Sequence, residues 1–214
     1  MLVISTNTPQ WLLRECVNQH TDVVILDYDR CTLEKLLTTM QDFSEVPRPL
    51  EIILPPPLPF PASEPSPHFC WHRPHFCWQP GKLLSIGFVD HAKSGCFRLL
   101  KDLDVDVNEL RDNEKLRCFF TQIAELLMPD KKKALGRTVS TASRALDMGA
   151  IHLLGCNVAA DGMELVKELE EITGFNVCAS TNETGNVKDG GDWVLETGNL
   201  QVRQPWLQIS MLRP

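Results

Sequence analysis

The chain alternates short apolar runs with stretches of helical periodicity, and this alternation restricts its fold more than any other feature. Five runs are typical of strands: Leu2–Ser5, Val23–Asp27, Leu83–Val89, Ala150–Cys156 and Asn176–Ser180. Uninterrupted apolar runs, of which Val23–Asp27 is one, indicate strands covered on both faces. Strands that alternate with helices favour parallel pairing with right-handed crossovers. We therefore predict a three-layer α/β domain with a mainly parallel sheet and helices on both faces.

The helices are predicted from the spacing of their apolar residues. Their expected ranges are 9–17, 32–43, 108–127, 138–148 and 161–173. Asp161 and Glu164 are expected to form a capping pair for the last of these, and Gly174 to end it. A small extra strand is expected at Gly95–Leu100, and a terminal hairpin from Trp193–Glu196 with Leu200–Val202.

A proline-rich stretch interrupts this pattern before the third strand. Eleven of the fifteen prolines lie between Pro47 and Pro80. Proline lacks an amide donor and breaks helices, so this stretch is not expected to pack as a regular element. We predict a single domain over residues 1–214 that carries an extended, proline-rich insertion at residues 45–81.

Composition excludes several classes of protein. Hydrophobic residues make up 43% of the chain and charged residues 23%, as in a globular protein. The net charge of −7 argues against a nucleic-acid partner, and the apolar runs are too short to span a membrane. The N-terminus lacks the pattern of a signal peptide. We therefore predict a cytoplasmic protein whose eight cysteines are reduced.

Two of the predicted strands end in residues suited to nucleophilic chemistry. The third strand leads into Asp90-His91 and the fourth into Gly155-Cys156-Asn157. If these strands are neighbours in a parallel sheet, the imidazole and the thiol project from the same edge. A base that takes up the thiol proton makes the sulfur a nucleophile for carbonyl carbon. The alternative is that Cys156 is a small buried residue without a catalytic role.

The residues around Cys156 also resemble a known family. The stretch Ile151–Ala159, which reads IHLLGCNVA, is similar to the signature of DUF4347, a bacterial domain found near the start of very large surface proteins. The similarity continues through Gly190–Glu196. That family resembles the caspase-like cysteine peptidases, in which a histidine after one strand and a cysteine after the next form the catalytic pair. The resemblance implies a caspase-like or flavodoxin-like sheet, with His91 as the base and Cys156 as the nucleophile.

These observations lead to two main hypotheses about function, and a small-ligand-binding α/β domain is a third alternative. The first is a cysteine hydrolase that acts on a peptide or protein through Cys156 and His91, supported by Gly155, Asn157 and Asp90 and by nearby backbone amides. The second is a non-catalytic interaction module that keeps the fold and binds a protein partner through the proline-rich insertion. Neither hypothesis requires a cofactor.

The insertion and the fourth strand contain further residues whose side chains could bind a metal or take part in catalysis. Five potential metal ligands lie inside the insertion, in a tandem seven-residue copy: His68, Cys70, His72, His75 and Cys77. Without a folded scaffold to hold them in a tetrahedral arrangement, we predict no metal site. His152, inside the fourth strand, is predicted to be a core histidine whose hydrogen bonds are satisfied.

Overall fold

The computed structural model of the protein describes residues 1–8, 17, 21–45, 82–128, 149–185, 191–202 and 206. The strands are β1 (Leu2–Ser5), β2 (Val23–Leu26), β3 (Ser85–Val89), β4 (Ala92–Lys93), β5 (Cys96–Leu100), β6 (Leu103–Val105), β7 (Ala150–Leu154), β8 (Asn176–Ala179), β9 (Val194–Leu195) and β10 (Leu200–Gln201). The helices are α1 (Leu33–Glu45), α2 (Val107–Asp112), α3 (Glu114–Glu125) and α4 (Glu164–Thr173), and a 3₁₀ turn covers Glu196–Gly198.

Five of the described strands form one parallel sheet in the order β2-β1-β3-β7-β8. This is the strand order of flavodoxin-type doubly wound sheets. The predicted α/β fold with a mainly parallel sheet is thus confirmed. β3 and β7, the two strands predicted to lead into the site, are direct neighbours.

The two faces of the sheet are covered differently. On one face, side chains such as Phe88 and Leu153 pack with residues of all four described helices. On the other face, Ile4 and Leu154 pack against the β9–β10 hairpin and Trp206. The helices predicted at 9–17 and 138–148 lie outside the described residues, Val17 excepted, as does the insertion from residue 46 to 81.

A small antiparallel sheet follows β3, with the order β4-β5-β6. Its middle strand, β5, is the extra strand predicted at Gly95–Leu100. Side chains alternate along a strand, and Phe97 and Leu99 accordingly belong to the main core. The side chains of Cys96 and Arg98 therefore lie on the opposite face of this small sheet, next to the carboxyl end of β3.

Three local predictions are wrong. The helix expected at 108–127 is two helices, because Asn113 between them is extended and its side chain accepts the Leu116 N–H to cap α3. β2 is not covered on both faces, since it lies at the end of the sheet order and Ile25 is 40% exposed. The Asp161–Glu164 capping pair does not form, because Met163 adopts a left-handed conformation and directly precedes α4.

His152 is a core residue, as predicted. Its side chain is buried in β7, and its Nδ1 accepts a hydrogen bond of 2.8 Å from Nε1 of Trp206. Burial lowers the pKa of His152 to about 3, because the charged imidazolium would lose its hydration there. The predicted terminal hairpin is also present, as β9 paired with β10. No helix among the described residues is long and apolar enough to cross a lipid bilayer.

Candidate functional site

His91 and Cys156 follow the paired ends of β3 and β7. Val89 lies opposite Leu154 in the ladder, so His91 and Cys156 each stand two residues beyond the last pair. Neighbouring strands in a sheet are about 4.8 Å apart. The structure therefore places both residues at the same edge of the sheet, as their positions in the sequence predicted.

Gly155 allows the segments that follow β3 and β7 to stay in contact beyond the last residue pair of the sheet. A Cβ atom at Gly155 would lie 2.6 Å from Cβ of Ala92 and 3.0 Å from the carbonyl oxygen of Asp90. Any side chain here would push apart the segments that carry His91 and Cys156. Gly155 therefore allows the close approach of these two segments.

The Cys156 thiol is half-buried and donates a hydrogen bond of 3.5 Å to the carbonyl oxygen of Thr184. The Thr184 hydroxyl in turn donates to the Gly155 carbonyl over 3.2 Å. The N–H and C=O groups of a trans peptide point in opposite directions, so the Cys156 N–H faces away from Thr184. The thiol and the Gly155 carbonyl are thus both bonded to Thr184.

Asn157 turns the chain sharply after Cys156. Its φ angle is 58°, in the left-handed region that asparagine tolerates better than most residues. Its N–H donates to the carbonyl oxygen of Asn182 over 2.6 Å. The Asn157 amide is thus engaged within the protein, and its contribution to the site is to shape the turn.

His91 lies on the surface beside an open cavity. Its imidazole lines a cavity of about 200 Å³ together with five other residues: Ala92, Lys93, Cys96, Arg98 and Asp104. Cys156 is not among these lining residues, and no hydrogen bond joins the imidazole to the thiol, both being in the described part of the chain. Ala92 lies between the cavity and the segment that carries Cys156, because it lines the cavity and contacts Gly155.

The charged side chains that line the cavity form ion pairs with one another. Asp104 Oδ1 lies 2.8 Å from Nε of Arg98, and its Oδ2 lies 3.5 Å from Nζ of Lys93. The hydrogen bond from Arg98 is the main reason that the pKa of Asp104 is lowered. One carboxylate thus holds two cationic side chains beside the imidazole, which gives the cavity a polar rim.

Asp90 supports His91 through the backbone. Its carboxylate is buried, and Oδ1 accepts the His91 N–H over 2.6 Å. Burial raises the pKa of Asp90, with the Ser5 side chain acting in the opposite direction. The His91 carbonyl accepts the Arg98 N–H at 3.2 Å, so the backbone of His91 is held on both sides.

The sequence interpretation did not identify Thr184 and Asp192 as neighbours of the site. Both residues lie in stretches that resemble the family, Asp192 in Gly190–Glu196 and Thr184 in Thr184-Gly185, and this resemblance is the signal that could have found them. A Cβ at Gly191 would come within 3.0 Å of the Glu183 carbonyl oxygen, which is why a glycine precedes Asp192 in this contact.

Metal ligands and disulfides are not found in the described residues. These contain no group of three or more histidine, cysteine or acidic side chains arranged to hold a metal ion. The ligands considered in the sequence, from His68 to Cys77, lie outside them. None of the described cysteines forms a disulfide: Cys31, Cys96, Cys118, Cys156 and Cys178.

The parallel sheet, with reactive side chains at its carboxyl edge, defines an α/β domain of the doubly wound class. Residues 79–211, more than half of the chain, match the family described as "Domain of unknown function (DUF4347)". The chain belongs to this family, as its resemblance implied, and the matched range includes both His91 and Cys156. No curated protein and no solved structure matches the chain.

Proposed function

We propose that this domain is a cysteine hydrolase in which Cys156 attacks the carbonyl carbon of a peptide or protein substrate and His91 acts as the base. The observation that supports this most directly is the in-register pairing of β3 with β7, continued by the close contact at Gly155. The family to which the chain belongs resembles the caspase-like peptidases, and that resemblance supports the same assignment of roles.

The reaction follows from the chemistry of the two side chains. His91 takes the thiol proton as the sulfur bonds to the substrate carbonyl carbon, and the carbonyl oxygen becomes an oxyanion facing the Cys156 N–H. His91 then gives the proton to the leaving amine as the carbon–nitrogen bond breaks. Water hydrolyses the remaining thioester and regenerates the thiol. The cavity beside His91 provides space for a substrate side chain.

Site-resolved labelling with a small thiol-reactive electrophile tests this proposal. At pH 7 we expect Cys156 to react at least about tenfold faster than Cys118, because base assistance accelerates thiol chemistry by large factors. Cys118 is an exposed thiol on α3 and provides an internal reference in the same molecule. Replacement of His91 by alanine should remove the advantage of Cys156 and leave the rate at Cys118 unchanged.

The variant Lys101→Ala is the matched control. Lys101 is an exposed cation whose ion-pair partner is Asp29, and it does not line the cavity. It should leave both labelling rates unchanged. Equal rates at Cys156 and Cys118, or a Cys156 rate that does not respond to His91→Ala, would refute the hydrolase proposal.

One observation favours the second candidate, a non-catalytic interaction module. The Cys156 thiol is hydrogen-bonded to the Thr184 carbonyl oxygen, and no hydrogen bond joins it to the His91 imidazole in the described part of the chain. A module of this kind would give equal thiol reactivities in the labelling experiment. It would also retain partner binding when Cys156 is replaced by serine.

A further inference from the structure

Segment 182–185 is hydrogen-bonded to the proposed nucleophile, Cys156. The Thr184 carbonyl accepts the Cys156 thiol at 3.5 Å, and the Thr184 hydroxyl donates to the Gly155 carbonyl at 3.2 Å. The Asn182 carbonyl accepts the Asn157 N–H at 2.6 Å. Three successive residues of the β7 turn are therefore bound by one short segment.

Asp192 holds the same segment from its other side. Its backbone N–H donates to the Glu183 carbonyl at 2.9 Å, and its carbonyl accepts the Gly185 N–H at 2.8 Å. Its carboxylate adds one bond to the segment, since Oδ2 accepts from Nδ2 of Asn182 at 3.1 Å, and Oδ1 accepts the Val194 N–H at 2.9 Å outside the segment. The segment thus lies between the Cys156 turn and Asp192 and is bonded to both.

The hydrogen bond from the thiol to the carbonyl is compatible with only one protonation state of the sulfur. A thiol can donate to the Thr184 carbonyl, whereas a thiolate has no hydrogen to donate and would be repelled by the carbonyl oxygen. As long as the segment stays in place, it engages the thiol hydrogen that His91 has to receive. Labelling of Cys156 through His91 in the wild type therefore proceeds from the molecules in which the segment is displaced.

We propose that Asp192 is a positioning residue that regulates the site: through segment 182–185 it holds Cys156 in a resting state, and displacement of this segment releases the thiol to His91. This inference rests on the proposed function, because it concerns the transfer of the same proton. It assigns to Asp192 a role in controlling the nucleophile.

The labelling rate of Cys156 tests the inference in two variants. Asp192→Ala removes both carboxylate bonds, and we expect Cys156 to react about fivefold faster, the factor that corresponds to the loss of one net hydrogen bond. Thr184→Val removes the bond to Gly155 with little change in shape and should raise the rate in the same direction. If one variant fails to fold, the other still provides the measurement.

Two reference thiols separate release of the segment from general loosening of the fold. Cys118 should react at its wild-type rate, and Cys178, which is 3% exposed beneath Gly198, should stay unlabelled. Combining Asp192→Ala with His91→Ala should abolish the gain. A merely structural role for Asp192 would instead make Cys178 reactive or leave Cys156 unchanged.

The outcomes distinguish this inference from the proposed function. If His91→Ala slows Cys156 in the otherwise wild-type chain but neither Asp192→Ala nor Thr184→Val accelerates it, the regulatory role is wrong and the hydrolase proposal stands. If both variants accelerate Cys156 equally with and without His91, the segment does restrain the thiol, and the hydrolase proposal fails.

Discussion

Replacement of Gly149 by alanine is expected to lower the free energy of unfolding by about 3 kcal/mol or more. Gly149 has a φ angle of 79°, and a Cβ there would lie 2.3 Å from the Met128 carbonyl oxygen and 2.6 Å from Cε1 of Phe175. Its N–H donates to the Leu84 carbonyl at 2.7 Å, so the backbone cannot move away without breaking this bond. The cost thus combines backbone strain with a clash against main chain.

Gly174→Ala is the matched control for this variant. Gly174 also has a left-handed φ angle, 73°, where it ends α4, but a Cβ there would meet no atom within 4 Å. Only backbone strain destabilises this variant, and we expect its free energy of unfolding to fall by about 1 kcal/mol. Urea unfolding of the two variants measures the difference. Equal losses in the free energy of unfolding would show that a side chain at position 149 does not clash with Met128 and Phe175.

Stability is expected to fall by about 2 kcal/mol between pH 7 and pH 5 because of His152 alone. The pKa of His152 is about 3 in the folded protein and near 6.5 in the unfolded chain. Below pH 6.5 the unfolded chain binds a proton that the folded protein excludes, so acid favours unfolding. The contribution of His152 is therefore complete above pH 6.5 and is lost progressively as the pH falls towards 3.

His152→Gln isolates this effect. The glutamine does not titrate, and its amide oxygen offers an acceptor to Nε1 of Trp206, the partner of His152. We expect urea unfolding of this variant to depend less on pH between 7 and 5 than that of the wild type. Asp90, whose pKa is raised, is present in both proteins and cancels in the comparison. Identical pH profiles would mean that His152 is readily protonated in the folded state.

Most elements of the sheet could be predicted from local sequence. The run Ala150–Cys156 corresponds to β7, whose five residues are all buried, and the run Val23–Asp27 corresponds to β2. Such strands are predictable because a run of apolar, β-prone residues indicates a strand within a few positions. Element boundaries were less predictable. Asn113 divides one apolar helical pattern into two helices because its side chain caps α3, although the apolar spacing continues through it.

The candidate site was predictable only in part. The positions of His91 and Cys156 at strand ends follow from the sequence, but their placement at one edge of the sheet depends on β3 and β7 being neighbours. The contact between Cys156 and Thr184 joins residues 28 positions apart. No periodicity extends over such a distance, and the thiol's hydrogen-bond partner was therefore not foreseen.

Residue order alone thus specifies that this protein is an α/β domain of the DUF4347 family with a thiol and an imidazole at two strand ends, because side-chain pattern and turn chemistry act over a few residues. Folding in three dimensions settles which strands lie side by side and where segment 182–185 rests. Those outcomes depend on packing between distant parts of the chain, such as the space left at Gly155 for Ala92 and the hydrogen bonds that Asp192 makes to Glu183 and Gly185.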